Sequence, residues 1–357
     1  MIQISRVLHA GYVFESAGTQ IAFDPIFENP FSRNCFAYPS VEFDGSQIRS
    51  LEFAAVFISH FHDDHCSFDS LDLLDRRTPI YMYCLFEEMF SMLRELGFLN
   101  VHSLDIDQPV VVGPMTIIPR RALDADVDSM FQVKEGDLNI LNVVDSWIDS
   151  DTLDLLAGLA PWDLILWPFQ TLRELEVLAP THAVPAPNFL PPEWVQQLQR
   201  LNPKYVVPSS CQFHQEDWSW YNRALFPISY RQFQAEIGIA LPHSKVVRLN
   251  PGESFNLDRH GLQKTAPLSW VLPVGNQDID YEYDPDLIPP PMSEVAMNFA
   301  SLSEDQTERV LKYCRLGLPQ KFKTLEPPLD PYFQQPRKWR LSVFDHTGSA
   351  TCFYYIL

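Results

Sequence analysis

The stretch Ser59-His60-Phe61-His62-Asp63-Asp64-His65 places three imidazoles and two carboxylates within six positions. Packing rarely demands polar side chains at that density. Imidazole and carboxylate together suit zinc, iron or manganese. The stretch directly follows Ala54-Ala-Val-Phe-Ile-Ser59, a continuous apolar run of the kind found in strands covered on both faces. A loop at the end of such a strand can turn several side chains towards one point. The chemistry to expect is therefore that of a bound metal.

The surrounding elements must hold that loop in place. Ile2 to Phe23 reads as two short strands around a turn at Gly11, the second strand being Thr19 to Phe23. Asp24-Pro25 then stops the strand and opens a loop that runs to about residue 50. Phe68 to Leu74 and Glu87 to Leu96 have helical spacing, and Gly97 ends the latter. Short strands follow at 79–83, 110–112, 115–118, 129–133 and 138–144, with Glu135-Gly136-Asp137 as a hairpin turn. Asp151 to Ala157 is helical, Leu164 to Trp167 a strand, Pro192 to Leu201 a helix with proline near its start, and Tyr205 to Pro208 a strand end. Strand meanders followed by helix–strand alternation predict a two-sheet core with helices outside, an α+β fold.

Composition shifts after about residue 260. An acidic, aromatic segment at 278–286 leads into Pro289-Pro-Pro291 and a helix region at 293–316, for which Ser303 is the expected N-cap. A β-hairpin is expected around Asp345-His-Thr-Gly348. We therefore read 1–260 as the main domain and 261–357 as a C-terminal extension that packs on the core or dimerises.

The chain has 357 residues, 46 acidic and 26 basic, and a net charge of -20. This disfavours a nucleic-acid binder, which needs clustered Lys and Arg, and adsorption to anionic membranes. It points to a small-molecule enzyme. The six cysteines form no C-x-x-C pair, which speaks against a zinc ribbon and for reduced thiols in a cytoplasmic protein. No basic-then-apolar leader and no run of about 20 apolar residues is present, so neither a signal peptide nor a membrane span is expected.

The H-x-H-x-D-H stretch resembles the signature of the metallo-β-lactamase fold superfamily, and the likeness extends over roughly residues 1–260, through Asp24 and the strand ending in Asp145. The resemblance implies a four-layer αββα sandwich and a centre of two divalent ions. His60 and His62 would hold one ion, Asp64 and His65 the other, and Asp145 would bridge them. The family's last ligand is a histidine in a loop after a later strand. His214 is our choice for it, with His182 as the competitor, a loop residue facing the pocket or solvent. The family's further histidine is missing, because the matching segment 119–129 contains only acids. Asp124 and Asp126 are the preferred replacements, while Asp128, just before a strand, is read as structural. A one-ion site remains the alternative if none of them binds.

Two activities follow from this resemblance. One is a dinuclear hydrolase that attacks a small-molecule ester, lactone, amide or phosphodiester with a metal-bound hydroxide, using zinc. Asp63 or Asp64 would orient the water, Arg120 and Arg121 would hold an anionic group or pair with nearby acids, and Trp218 would line the pocket. The other is a di-iron oxygenase, because a carboxylate in place of histidine favours iron or manganese. Short likenesses to the CMP-sialic acid hydroxylase and ascorbate-6-phosphate lactonase branch accompany it. That activity needs a separate reductase, since the chain has neither an iron–sulfur pattern nor a flavin fingerprint. A homo-oligomer is compatible with either.

Overall fold

Apolar runs and alternating segments of the chain pair into two mixed sheets. They are seen in a computed structural model that describes residues 1–169, 171–174, 177, 184, 186–325 and 335–356. The first sheet runs in the order Gly261–Thr265, Ser254–Asp258, Ile2–Arg6, Tyr12–Ser16, Thr19–Phe23, Ala55–Ile58, Ile80–Met82 and Val101–Ser103. Its last four strands are parallel and the others antiparallel. The second runs Lys245–Val246, Pro203–Pro208, Trp162–Trp167, Leu138–Asn142, Ser129–Glu135, Met115–Arg121 and Val110–Val112.

The inner faces share one core. Ile4, Phe14, Phe23 and Phe57 of the first sheet are buried together with Ile117, Phe131, Ile140 and Leu164 of the second. Alternate residues of the first sheet, Val13, Ala22, Val56 and Ile58, point the other way. They pack with Leu71, Phe90 and Leu93 from the helical segments Phe68–Leu71 and Glu87–Glu95. On the outer face of the second sheet, Trp167 meets Trp194 of helix Pro192–Leu201, and Trp162 donates to the Leu156 carbonyl of helix Ser150–Gly158 at 3.1 Å. The result is helix, sheet, sheet, helix, as the period-two pattern requires of strands with two apolar faces.

Two details differ from the expectation. Residues 2–23 form three strands rather than two, because Ala17 and Gly18 take positive φ and close a second hairpin. The 25–50 loop contains the short strands Phe36–Ala37 and Val41–Phe43 and a helical turn Gly45–Ile48 capped by Asp44. Among the described residues no helix is long and apolar enough to cross a membrane.

The chain divides into two units, Met1–Asp217 with Tyr221–Pro285, and Trp218–Trp220 with Asp286–Leu357. The first extends past 260 because strand Gly261–Thr265 completes the sheet edge and Val271–Pro273 pairs with Val41–Phe43. In the second unit, helix Glu304–Lys312 has a capping box built by Ser303 and Gln306, and Lys338–Phe344 pairs with Ala350–Ile356 as a hairpin.

Gly11 sits where the first turn crosses the end of the third strand. A Cβ there would lie 2.8 Å from the Asp24 carbonyl and 2.9 Å from that of Leu8, both backbone atoms. Gly11→Ala is therefore expected to destabilise the fold by about 1–3 kcal/mol, read as a lower urea midpoint. An unchanged midpoint would show that the turn can relax.

Candidate metal centre

All the chemistry-bearing side chains of the signature stand at one end of the first sheet. Strand Ala55–Ile58 delivers Ser59 and His60, both buried, at its C-terminal end. The neighbouring strand Thr19–Phe23 ends in Asp24, which is fully buried and in the left-handed region at φ 39. Its carboxylate accepts from the Ser59 N–H at 2.7 Å, the Ser59 Oγ at 2.7 Å and the His65 Nδ1 at 3.1 Å. Ser59 Oγ in turn lies 2.9 Å from His60 Nδ1. With its proton given to Asp24, Ser59 Oγ accepts from His60. Both histidines therefore donate through Nδ1 and leave Nε2 facing the site, as ligating histidines do.

Two sets of side chains gather at those nitrogens, and among the described residues only the second brings all its donor atoms within 4.8 Å of one another. In one, His60 Nε2 is 3.0 Å from His62 Nδ1 and 3.8 Å from Asp128 Oδ1. In the other, His9, Asp64, His65 and Asp145 each offer a ligand atom within 4.8 Å of the rest. His65 Nε2 is 3.1 Å from Asp145 Oδ2 and 3.2 Å from His9 Nε2, and His9 Nε2 is 3.2 Å from Asp64 Oδ2. Asp145 is brought in from the second sheet by the turn after Leu138–Asn142, where Val144 holds φ 64.

The electrostatics follow from burial and proximity. Burial and the neighbouring His65 push the His60 imidazole down to about 2, so it stays neutral. Burial alone would raise Asp64 and Asp145, but His65 outweighs it and both carboxyls lie well below their usual range. Burial and Asp145 raise Asp128 to about 6. At His65 burial alone would lower the imidazole, but Asp145 and Asp64 outweigh it and hold it well above its usual range, so a divalent cation binding there displaces a proton.

Several sequence expectations change place. Of the three acids in 119–129, Asp128 stands against His60. Asp124 and Asp126 are exposed on the turn, where the Asp124 carbonyl accepts from the N–H groups of Val127 and Asp128. His214 is not in the cluster. It lies on the short strand Phe213–His214, stacked on Phe36, with its Nδ1–H donated to the Gln215 carbonyl at 2.6 Å. His9, which the sequence did not single out, is there instead. Asp63 lies on the exposed side, held by Ser32 Oγ at 2.9 Å. Arg120 is buried against Asp107 and Gln132, and Arg121 Nε lies 3.8 Å from Asp149. Arg120 therefore takes the pairing role, whereas the Arg121 guanidinium is more than half exposed. Trp218 belongs to the second unit, where its ring meets Phe299 edge-on at 5.2 Å. His182 lies outside the described residues.

Removing Asp24 orphans three donors behind the site. Asp24→Ala is expected to weaken metal binding by about 10- to 100-fold, read by competition with a chromophoric chelator. Asp128→Ala is expected to lower metal stoichiometry, whereas Asp124→Ala and Asp126→Ala leave it at the wild-type value. Loss in either of the latter two would return the ligand role to them.

No family model matches the sequence, and no curated protein matches it. Solved structures do. A metallo hydrolase from the hyperthermophilic archaeon Ignicoccus hospitalis aligns at 18% identity over 72% of this chain and 99% of its own, with a TM-score of 0.50. Isothiocyanate hydrolase from Delia radicum gut bacteria aligns at 17% identity over 71% of this chain and 98% of its own, with a TM-score of 0.51. A metallo-β-lactamase fold protein of Bacillus subtilis aligns at 14% identity over 72% of this chain and all of its own, with a TM-score of 0.48. At these identities the likeness is one of fold. Together with two mixed sheets between helices and a histidine–aspartate cluster at their strand ends, it identifies this chain as a protein of the metallo-β-lactamase fold.

Proposed function

We propose that the chain is a dinuclear metal-dependent hydrolase of a small-molecule ester, lactone, amide or phosphodiester. One observation carries this reading: His60, His62, Asp64, His65, Asp128 and Asp145, from three separate stretches of chain, crowd into two adjacent groups around their ring nitrogens. His60, His62 and Asp128 would hold one ion, Asp64 and His65 the other, and Asp145 lies within reach of the second group on the inner side. When bound, two such ions polarise a carbonyl or phosphoryl oxygen and make water nucleophilic near neutral pH.

The protein's own part is preorganisation. Asp24 and Ser59 hold the Nδ1 sides of His65 and His60, so these rings need no reorientation when metal arrives. Asp64, accepting from His9 and about a quarter exposed, is the carboxylate placed between the buried imidazoles and solvent, where it can orient an incoming water. Arg120 is engaged by Asp107 and Gln132 and offers no free guanidinium to a substrate.

One observation favours a second reading. The His60, His62 and Asp128 set has two imidazoles and one carboxylate, a donor combination suited to non-haem iron in oxygen chemistry. A di-iron oxygenase served by a separate reductase is therefore the alternative.

Anaerobic purification followed by metal analysis separates the two. Two zinc ions per chain with hydrolysis across a lactone and ester panel supports the hydrolase. Two irons with an optical band that responds to reduction and oxygen supports the oxygenase. Substoichiometric metal after metal-replete expression would contradict both. His62→Ala is expected to abolish tight binding at the first position, and full stoichiometry in that variant would refute the ligand assignment.

A further inference from the structure

His9 belongs to the second group by distance, yet its hydrogen bonds run opposite to those of its neighbours. The Cys211 N–H donates to His9 Nδ1 at 3.2 Å, so in the neutral ring Nδ1 is an acceptor and the proton sits on Nε2. His65 is the reverse at Nδ1, which gives its proton to Asp24. The two Nε2 atoms face each other at 3.2 Å, and His65 Nε2 also lies 3.1 Å from Asp145 Oδ2. Asp64 Oδ2, also 3.2 Å from His9 Nε2, is an acceptor for the His9 N–H.

We infer that His9 is not a metal ligand but a fixed hydrogen-bond donor, which presents an N–H to the inner side of the centre and to any oxyanion that binds there. This rests on the metal-dependent reading above and assigns a role to a residue that the ligand set leaves over.

The scaffold enforces this polarity. His9 is 3% exposed and adopts φ 52, a conformation that aims its side chain inward from a tight turn. Its carbonyl accepts from Arg6 Nη2 at 3.2 Å. The same buried guanidinium donates to the carbonyls of Ser209 at 2.9 Å and Leu249 at 3.0 Å, and to Gln212. Arg6 thus clamps the His9 turn to the 209–212 loop. In that loop Cys211 takes φ 59 and directs its N–H at the ring. Phe31, with its ring centroid 5.3 Å away, covers another side of the imidazole. The Cys211 N–H and Phe31 hold the ring itself, and Arg6 holds the turn that carries it.

The test uses 15N-histidine-labelled chain loaded with zinc, in wild type and in His9→Asn. Asparagine tolerates positive φ, and its Oδ1 can still accept the Cys211 N–H, so the variant keeps the turn while losing the Nε2 proton. A long-range proton–nitrogen correlation spectrum is expected to show His9 protonated on Nε2 and His65 on Nδ1, with His9 assigned by its loss in the variant. Zinc stoichiometry is expected to be equal in the two proteins. Inorganic phosphate, used as the oxyanion probe in calorimetry, is expected to bind about tenfold more weakly to the variant, the size of one hydrogen bond to a charged acceptor. A His9 ring protonated on Nδ1, a variant short of one zinc, or unchanged phosphate affinity would each overturn the proposal. If wild type itself takes up no zinc, the metal-dependent reading falls, and the spectrum of the metal-free protein still decides the polarity of His9.

Discussion

The buried Asp24 carboxylate organises everything around it. A carboxylate removed from water is costly unless its oxygens are fully hydrogen-bonded, and here three donors serve it. One is the backbone of the adjacent strand end, one the Ser59 hydroxyl and one the His65 ring. The carboxylate therefore ties the third strand to the signature loop and sets the Nδ1 proton of His65 directly and that of His60 through Ser59. The backbone concedes strain for this arrangement. His9, Asp24, Val144 and Cys211 all hold positive φ near the centre. A β-branched residue such as Val144 pays most for that conformation, and such outliers persist only where the surroundings over-determine them.

The acid excess of the chain divides unevenly. Residues 286–357 contain eight acidic and eight basic side chains, so the whole net charge of -20 lies on the unit that holds the centre. A negative field on that scale raises the local concentration of divalent cations. At the centre itself the acids face imidazoles. Mutual proximity and burial there keep His60 neutral and the carboxyls of Asp64 and Asp145 ionised.

What could be read from sequence was what is local in sequence. The signature is a six-residue motif behind an apolar strand, and Asp145 follows another, so strand periodicity alone brings both to sheet ends. Helix Pro192–Leu201, the Gly136 hairpin and the Ser303 cap carry their own stop and start chemistry, and they appear where expected. Which of Asp124, Asp126 and Asp128 meets His60 depends on how one turn closes, a matter of φ and ψ rather than residue type. His9 depends on contacts about 200 positions away, its own with the Cys211 N–H and that of Arg6 with the Ser209 carbonyl, and a lone histidine in a short turn carries no spacing to betray it. His214 looked right by its place after a strand. However, Phe213–His214 pairs with Phe36–Ala37, and that register commits its ring to Phe36.

Anomalous diffraction from crystals of the metal-loaded protein would locate the two proposed cation positions. Two peaks are expected about 3.5–4 Å apart, one against His60, His62 and Asp128, the other against Asp64, His65 and Asp145, with His9 Nε2 outside bonding distance of both. A single peak, or peaks ligated by Asp124, Asp126 or His214, would contradict the proposal.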